Sequence, residues 1–270
     1  MNVPRLTSPF DLASIDEIPL THAPLVRVLA QIRFPRLAAL DDSTIVKSFT
    51  TKVSAEYPLL QQKHEISLII SPGEAVTQQQ QQAPIWYLRS ADEQWAVTVT
   101  LNSLALETSS YEGRTDFLQR LRYLIETFSD IVRVPYINRI GIRYTNRIYQ
   151  QDKLRRMDHY IQPAIMGAMA IPTPPGTKRS HAISDALFHT GENSLQARWG
   201  MLPANAVLDP SIPRVDAENW ILDLDSFASV RMEAEADQII NRAQGLAEQA
   251  YRMFRWIVTD SFIEEFRGSR

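Results

Sequence analysis

Hydrophobic and polar residues alternate most cleanly between Tyr136 and Tyr149, where the chain reads YINRIGIRYTNRIY. Arg139, Gly141, Arg143, Thr145 and Arg147 fall on one side of an extended chain. Ile140, Ile142, Tyr144, Asn146 and Ile148 fall on the other. A period of two with β-branched and aromatic residues predicts a strand with a charged face and an apolar face. Leu25 to Phe34 repeats the pattern. Val26, Val28, Ala30, Ile32 and Phe34 oppose Arg27, Leu29, Gln31 and Arg33, and Pro35 ends the run. Further strands are predicted over His64–Ser71, Ile85–Arg89, Gln94–Glu107 and Trp220–Val230. Ile183–His189 and Ser194–Leu202 read as a hairpin around Gly191-Glu192-Asn193.

Elsewhere the apolar period is helical. Ser43 to Tyr57 carries Ile45, Val46, Phe49 and Val53 on one stripe, with Asp42 or Ser43 placed to cap it. Thr115 to Ser129 carries Phe117, Leu118, Leu121, Leu124, Ile125 and Phe128. Pro163 suits the first position of a short helix holding Ile165, Met166 and Met169. From Glu233 a long stripe runs toward Phe266, and the capping residues Thr259-Asp260-Ser261 predict a break there. Residues 1–22 read as an irregular lead-in, and 171–178 and 203–218 as proline-bearing loops. The five glutamines within Thr77–Ala83 read as a mobile hairpin loop.

In order, the elements run strand, helix, three strands, helix, and then the same again. The pattern divides the chain into a lead-in (1–22), a first half (23–134) and a second half (135–270) with the long C-terminal helix. Ile32-Arg33-Phe34 echoes Ile142-Arg143-Tyr144, and Gln94-Trp95 echoes Asn219-Trp220. The predicted fold class is therefore α+β: duplicated β-α-β-β-β-α units forming one large antiparallel sheet backed by long helices. A sheet of eight such strands curls into a saddle or closes into a barrel. The layout is similar to the saddles of the TATA-binding-protein type and to helix-grip and triphosphate-tunnel barrels. That likeness is architectural and carries no function.

Composition narrows the chemistry. The 270 residues carry a net charge of −3, so any polyanion site must be a local patch. There is no cysteine, which removes disulfides, thiolate nucleophiles and Cys-ligated metals, and fits a cytoplasmic protein. No stretch has the length and apolarity of a membrane span, and the N-terminus lacks the apolar run of a signal peptide. The five histidines show no metal-ligand spacing, the nine glycines form no phosphate loop, and no nucleophile elbow is present. No metal or other cofactor is expected, and the balance leans away from an enzyme.

Two readings of the charged strand stay open. Arg139, Arg143 and Arg147 form a cradle for phosphate, nucleotide or nucleic-acid backbone, since each planar guanidinium donates two bonds to one oxyanion. Alternatively Asp223 and Asp225, alternating in WILDLDSF, pair with the arginines and neutralise them. Those two carboxylates are also a minimal divalent-metal pair, without a third ligand beside them. Arg198 and Trp199 are a further ligand-binding candidate. The remaining tryptophans read as core.

The segments PLVRVLAQIRF, TSSYEGRTDFL, NRIGIRYTNRI and FRWIVTDSFIEEF together resemble a sporadically distributed bacterial protein family of about this length, to which no activity is assigned. The resemblance covers nearly the whole chain. Where many of the relatives are expected to carry an acidic residue, this chain has Arg27. Patchy occurrence implies a mobile accessory gene of the phage-defence or toxin–antitoxin type. The expected function is a non-catalytic binding protein, an accessory subunit engaging a protein partner. The alternative is an enzyme or sensor that binds a nucleotide, phosphorylated ligand or nucleic acid through the arginine face.

Overall fold

The computed structural model describes residues 7–10, 15–67 and 81–268. Among the described residues nine strands form one sheet: β1 (Leu25–Arg33), β2 (Leu59–Ser67), β3 (Gln81–Arg89), β4 (Trp95–Thr100), β5 (Ser103–Thr108), β6 (Arg139–Ile148), β7 (Ala182–Thr190), β8 (Asn193–Leu202) and β9 (Asn219–Ala228). The helices are α1 (Ser43–Lys52), α2 (Arg114–Ser129), the single turns α3 (Gln151–Leu154), α4 (Met157–Tyr160) and α5 (Pro163–Met166), then α6 (Ala236–Ile257) and α7 (Asp260–Arg267). Among the described residues no helix is long and apolar enough to cross a membrane.

The strand order is β2-β3-β4-β5-β1-β6-β9-β8-β7, with every pair antiparallel. The two opening strands, β1 and β6, lie side by side at the centre, and each also pairs with the last strand of its own half. β2 and β7 stand at opposite ends of the sheet, so it does not close, and the barrel expectation is corrected.

Gln94–Glu107 is also corrected, from one strand to the hairpin β4–β5. Its turn at Leu101-Asn102 has neither glycine nor proline. The Thr100 hydroxyl instead bonds Asn102 Oδ1 at 3.0 Å and Ser103 Oγ at 2.7 Å. Trp95 therefore opens β4, the next-to-last strand of the first half, whereas Trp220 lies in β9, the last strand of the second. The two tryptophans occupy non-equivalent strands. Gln81 and Gln82 pair with Ser67 and Ile66 as the start of β3. The rest of the predicted glutamine loop, and the end of the predicted His64–Ser71 strand, lie outside the described residues.

All the long helices pack on one face. Val28, Ala30 and Ile32 of β1 and Ile140 and Ile142 of β6 join Leu121, Leu124 and Ile125 of α2 and Ile239, Ala243 and Leu246 of α6 in one core. A second core gathers Trp220, Leu222 and Leu224 with the C-terminal half of α6, Phe262 and Phe266 of α7 and Tyr160 of α4. Helix α6 spans both cores, and the Tyr144 side chain packs against both. Each fully buried Leu or Ile contributes about 1.5–3 kcal/mol, so these stripes outweigh the polar contacts in holding the layers together. The predicted helix break falls at Val258-Thr259. There Thr259 Oγ1 accepts from Phe262 N at 3.3 Å and donates to His159 O at 2.5 Å.

The described residues of the lead-in, 7–10 and 15–22, are irregular in backbone but docked. Thr21 N and His22 N donate to Arg267 O and Phe266 O, Ile18 N donates to Tyr251 Oη at 2.8 Å, and Phe10 packs on Phe188.

One glycine is required by close approach. Gly200 in β8 has φ 142°, and a Cβ there would lie 1.8 Å from Ala182 O across the β7 pairing. Gly200→Ala is expected to cost at least about 2 kcal/mol by strain and lost pairing. Hydrogen exchange of the β7 amides should rise most; unchanged β7 protection would count against it.

Candidate functional site on the helix-free face

The helix-free face of the sheet carries the arginine row. Pairing alternation places Arg27 and Arg33 of β1, Arg139, Arg143 and Arg147 of β6, Asp223 and Asp225 of β9 and Arg198 of β8 on this side. The loop 203–218 between β8 and β9 contributes a further carboxylate. It closes on itself through Asn205 N to Val215 O at 2.8 Å and Asn205 Nδ2 to Asp216 Oδ1 at 2.9 Å.

Asp223 is the centre of the site, its side chain 1% exposed. Arg143 donates to it twice, Nε to Oδ1 at 2.6 Å and Nη2 to Oδ2 at 3.0 Å. Arg198 donates Nε and Nη2 to Oδ2 at 3.0 and 2.5 Å, and Thr145 Oγ1 donates to Oδ1 at 3.0 Å. Arg143 Nη1 also reaches Asp209 Oδ2 of the loop at 2.7 Å. The same oxygen accepts from Arg27 Nη1 at 3.2 Å, and Arg27 Nε bonds Glu107 Oε2 at 2.9 Å. The result is an alternating chain, Glu107–Arg27–Asp209–Arg143–Asp223–Arg198, running across β5, β1, the loop, β6, β9 and β8. Short charge-assisted bonds of this kind are the stronger members of their class.

The environment sorts the titrations. Burial pushes Asp209 up, but the Ser211 hydroxyl and backbone N–H, with Arg143 and Arg27, outweigh it and hold the carboxyl below its ordinary range. Asp225 goes the other way. Burial raises it, and Arg139 and Arg143 do not offset the cost. Burial pulls Arg143 down, but Asp223 and Asp209 more than restore it, and its affinity for the proton rises.

The three arginines of the row therefore differ. Arg143 is saturated by two carboxylates. Arg147 is buried under the loop, donating Nη1 to Pro213 O at 2.6 Å, while its Nε has no partner. Arg139 is the open member. Its Nη2 stands 3.5 Å from Asp225 Oδ2, and its guanidinium lies 4.5 Å from the centre of the Phe227 ring. Directly opposite across the β1–β6 pair is Arg33, exposed and bonded to Gln31 Oε1 at 3.0 Å. Like charges placed opposite each other on paired strands are destabilising. Burial first, then Arg33, lowers the proton affinity of Arg139 against the opposing pull of Asp225. Gly141 between them leaves room, since a Cβ there would meet Phe227 Cβ at 3.2 Å and Arg139 Nη1 at 3.3 Å. Arg33, Arg139, Gln31 and Gly141 line a cleft of about 350 Å³ with Arg143 and Asp225 at its edge.

Arg198 and Trp199 do not come together. Arg198 joins the charge chain, while the Trp199 indole belongs to the second core and donates Nε1 to Ile165 O at 2.8 Å. Trp86, Trp95 and Trp220 are buried. Asp223 and Asp225 face arginines, and among the described residues no group of three or more His, Asp or Glu is placed to hold a metal. Sequence reading missed Arg33, Glu107, Asp209 and Ser211 as partners. Arg27 and Arg33 were visible in the β1 alternation; Asp209 and Ser211 sit in a loop with no periodic signal. Comparison with protein-family models, curated proteins and solved structures finds no match to this chain.

Asp223→Ala strands Arg198, leaves Arg143 with Asp209 alone, and is expected to cost about 3–5 kcal/mol, the range for breaking a buried pair. Arg143→Ala should cost about 3 kcal/mol, at the lower end, because Arg198 and Thr145 still hold Asp223. Adding Asp223→Asn to Arg143→Ala should recover part of the loss; strictly additive melts would show that the groups are not coupled. The two outer carboxyls should titrate in opposite directions from the ordinary value near about 3.9. Asp209 contributes stability present above the unfolded value and lost as pH falls through its lower folded value. Asp225 contributes stability present below the unfolded value and lost as pH rises through its higher folded value. Carboxyl-carbon NMR would check both signs.

Proposed function

We propose that the protein is a non-catalytic binding protein whose helix-free sheet face docks an anionic group of a protein partner in the Arg33–Arg139 cleft. The observation that carries this reading is the like-charge pair across β1 and β6, served by one carboxylate at 3.5 Å. An incoming carboxylate would complete the alternation that the neighbouring charges already have. A single acidic group suits the site better than a polyanion. Glu107, Asp209, Asp223 and Asp225 share the face, and the chain as a whole is negative. The resemblance to a patchily distributed bacterial family supports an accessory subunit of a mobile defence or toxin–antitoxin type module. A nucleotide, a phosphorylated ligand or nucleic acid is the alternative occupant.

The same reading takes the fold as an internal duplication. In support, β5-β1 and β9-β6 take mirrored places in the strand order, as do β4-β5 and β8-β9 and β3-β4 and β7-β8, and β2 is then an added edge strand. The halves divide near Val134, and their opening strands would be related by a two-fold axis between β1 and β6. The unmatched tryptophans reduce the sequence support to the Ile-Arg-aromatic echo.

The test is fluorescence anisotropy with an acidic peptide, a single-stranded oligonucleotide and a nucleotide. Arg139→Gln should weaken peptide binding by about 1.5–3 kcal/mol, the range for hydrogen bonds to charged groups. Asp225→Asn removes the competing carboxylate and should tighten it, as should lowering the pH through the raised Asp225 titration. Binding indifferent to both substitutions would refute the cleft as the docking point. A steep salt dependence with preference for the oligonucleotide would favour the alternative.

A further inference from the structure

The opposite side of β6 holds a second feature, independent of the charged cleft. A cavity of about 180 Å³ lies where the two cores meet, beneath the docked lead-in. Leu25 and Leu224 from the sheet, Ala250 and Phe254 from α6 and Ile18 and Leu20 from the lead-in supply apolar walls. An apolar cavity of about 150 Å³ can hold a benzene ring, so the volume suits one ring or a short branched chain.

One wall is polar in an unusual way. Asn146 occupies an apolar-face position of β6, in line with Ile142, Tyr144 and Ile148, and is 5% exposed. Among the described residues no hydrogen-bond partner meets its side-chain amide. Its amide is not among the buried side-chain atoms left without a partner, so it is reached from the cavity and is open to a molecule bound there. A leucine in its place would remove the hydrogen-bonding group and keep a side chain of similar size at the wall.

Glu17, Tyr111 and Tyr251 at the cavity already have partners. Glu17 of the lead-in accepts from Tyr111 Oη at 3.1 Å and from Arg114 N at 3.2 Å. The second contact stands in for the cap that Gly113, at the N-cap position of α2, has no side chain to make. Tyr251 Oη accepts from Ile18 N and donates to Asp16 O at 3.3 Å. Glu17 and Glu112 line the cavity and oppose an anion, whereas Arg114, whose guanidinium lies 5.6 Å from the Tyr251 ring centre, opposes a cation. We propose that this cavity is a binding site for a small uncharged molecule of about single-ring size, mostly apolar, with one amide or hydroxyl group that bonds Asn146.

The experiment is calorimetry and ligand-observed NMR on the full chain with four probes: benzamide, phenol, toluene and benzoate. Benzamide and phenol should bind and compete with each other, and benzoate should bind at least about tenfold more weakly than benzamide. Asn146→Leu should weaken benzamide at least about tenfold while toluene is retained. Ala250→Leu should fill the cavity and lose all four probes. The proposal is overturned if no probe binds the native chain, if benzoate binds as well as benzamide, or if Asn146→Leu leaves benzamide affinity unchanged. If a variant loses its native spectrum, the benzamide–benzoate comparison on the native chain decides.

Discussion

Asp223 is a carboxylate removed from water in the middle of a sheet, and hydrogen-bond donors surround it. Two guanidiniums and a hydroxyl reach it from the strands on either side. Its neighbours extend the alternation outward to Glu107 on β5, so strands from both halves of the chain are bound by one run of charge. A buried pair of this kind adds little net stability over an apolar replacement, because desolvation offsets the attraction. Its larger consequence is register. A one-residue slip of β9 against β6 would put Asp223 into the apolar core and expose Leu222 or Leu224 on the charged face.

That constraint explains why irregular segments matter here. The loop 203–218 delivers Asp209 to the junction of Arg27 and Arg143, and delivers the Pro213 carbonyl to Arg147. It thereby joins Arg27 of β1 to Arg143 of β6 through Asp209, in addition to the backbone pairing of those two strands. On the other face the lead-in does similar work, since Glu17 caps α2 from 97 positions upstream in sequence. Both segments are non-periodic, and both are held by contacts that form only when the chain is folded. The two faces of β6 thus present different chemistry within one alternating strand: saturated charge with one open end outward, and an apolar cavity with one unpartnered amide inward.

Much of this was legible in the sequence, and for a physical reason. A period of two in YINRIGIRYTNRIY or LVRVLAQIRF has only one economical solution, a strand with one face on a core. The stripes of α2 and α6 likewise demand a partner surface. Thr259 ends α6 because its hydroxyl can cap the next helix, and that needs only local sequence. The β4–β5 hairpin was read as one strand because its turn is made by Thr100, Asn102 and Ser103. These residues continue the alternation and only turn the chain when their hydroxyl and amide groups meet one another. Asn146 was also visible as a polar residue among isoleucines, but its meaning depends on whether a partner stands opposite.

What the sequence alone determined is most of the elements, the α+β class, the charged strand and the absence of cysteine chemistry, because each follows from residue type and short-range period. The tertiary structure decided everything that depends on residues far apart in the chain. It decided that the sheet stays open, since β2 and β7 end at opposite edges. It decided that Arg143 is saturated, Arg147 covered and Arg139 left facing Arg33, because pairing register and one long loop set which charges meet. It also decided that Arg198 and Trp199, adjacent in sequence, belong to opposite sides of the sheet, as successive residues of a strand must.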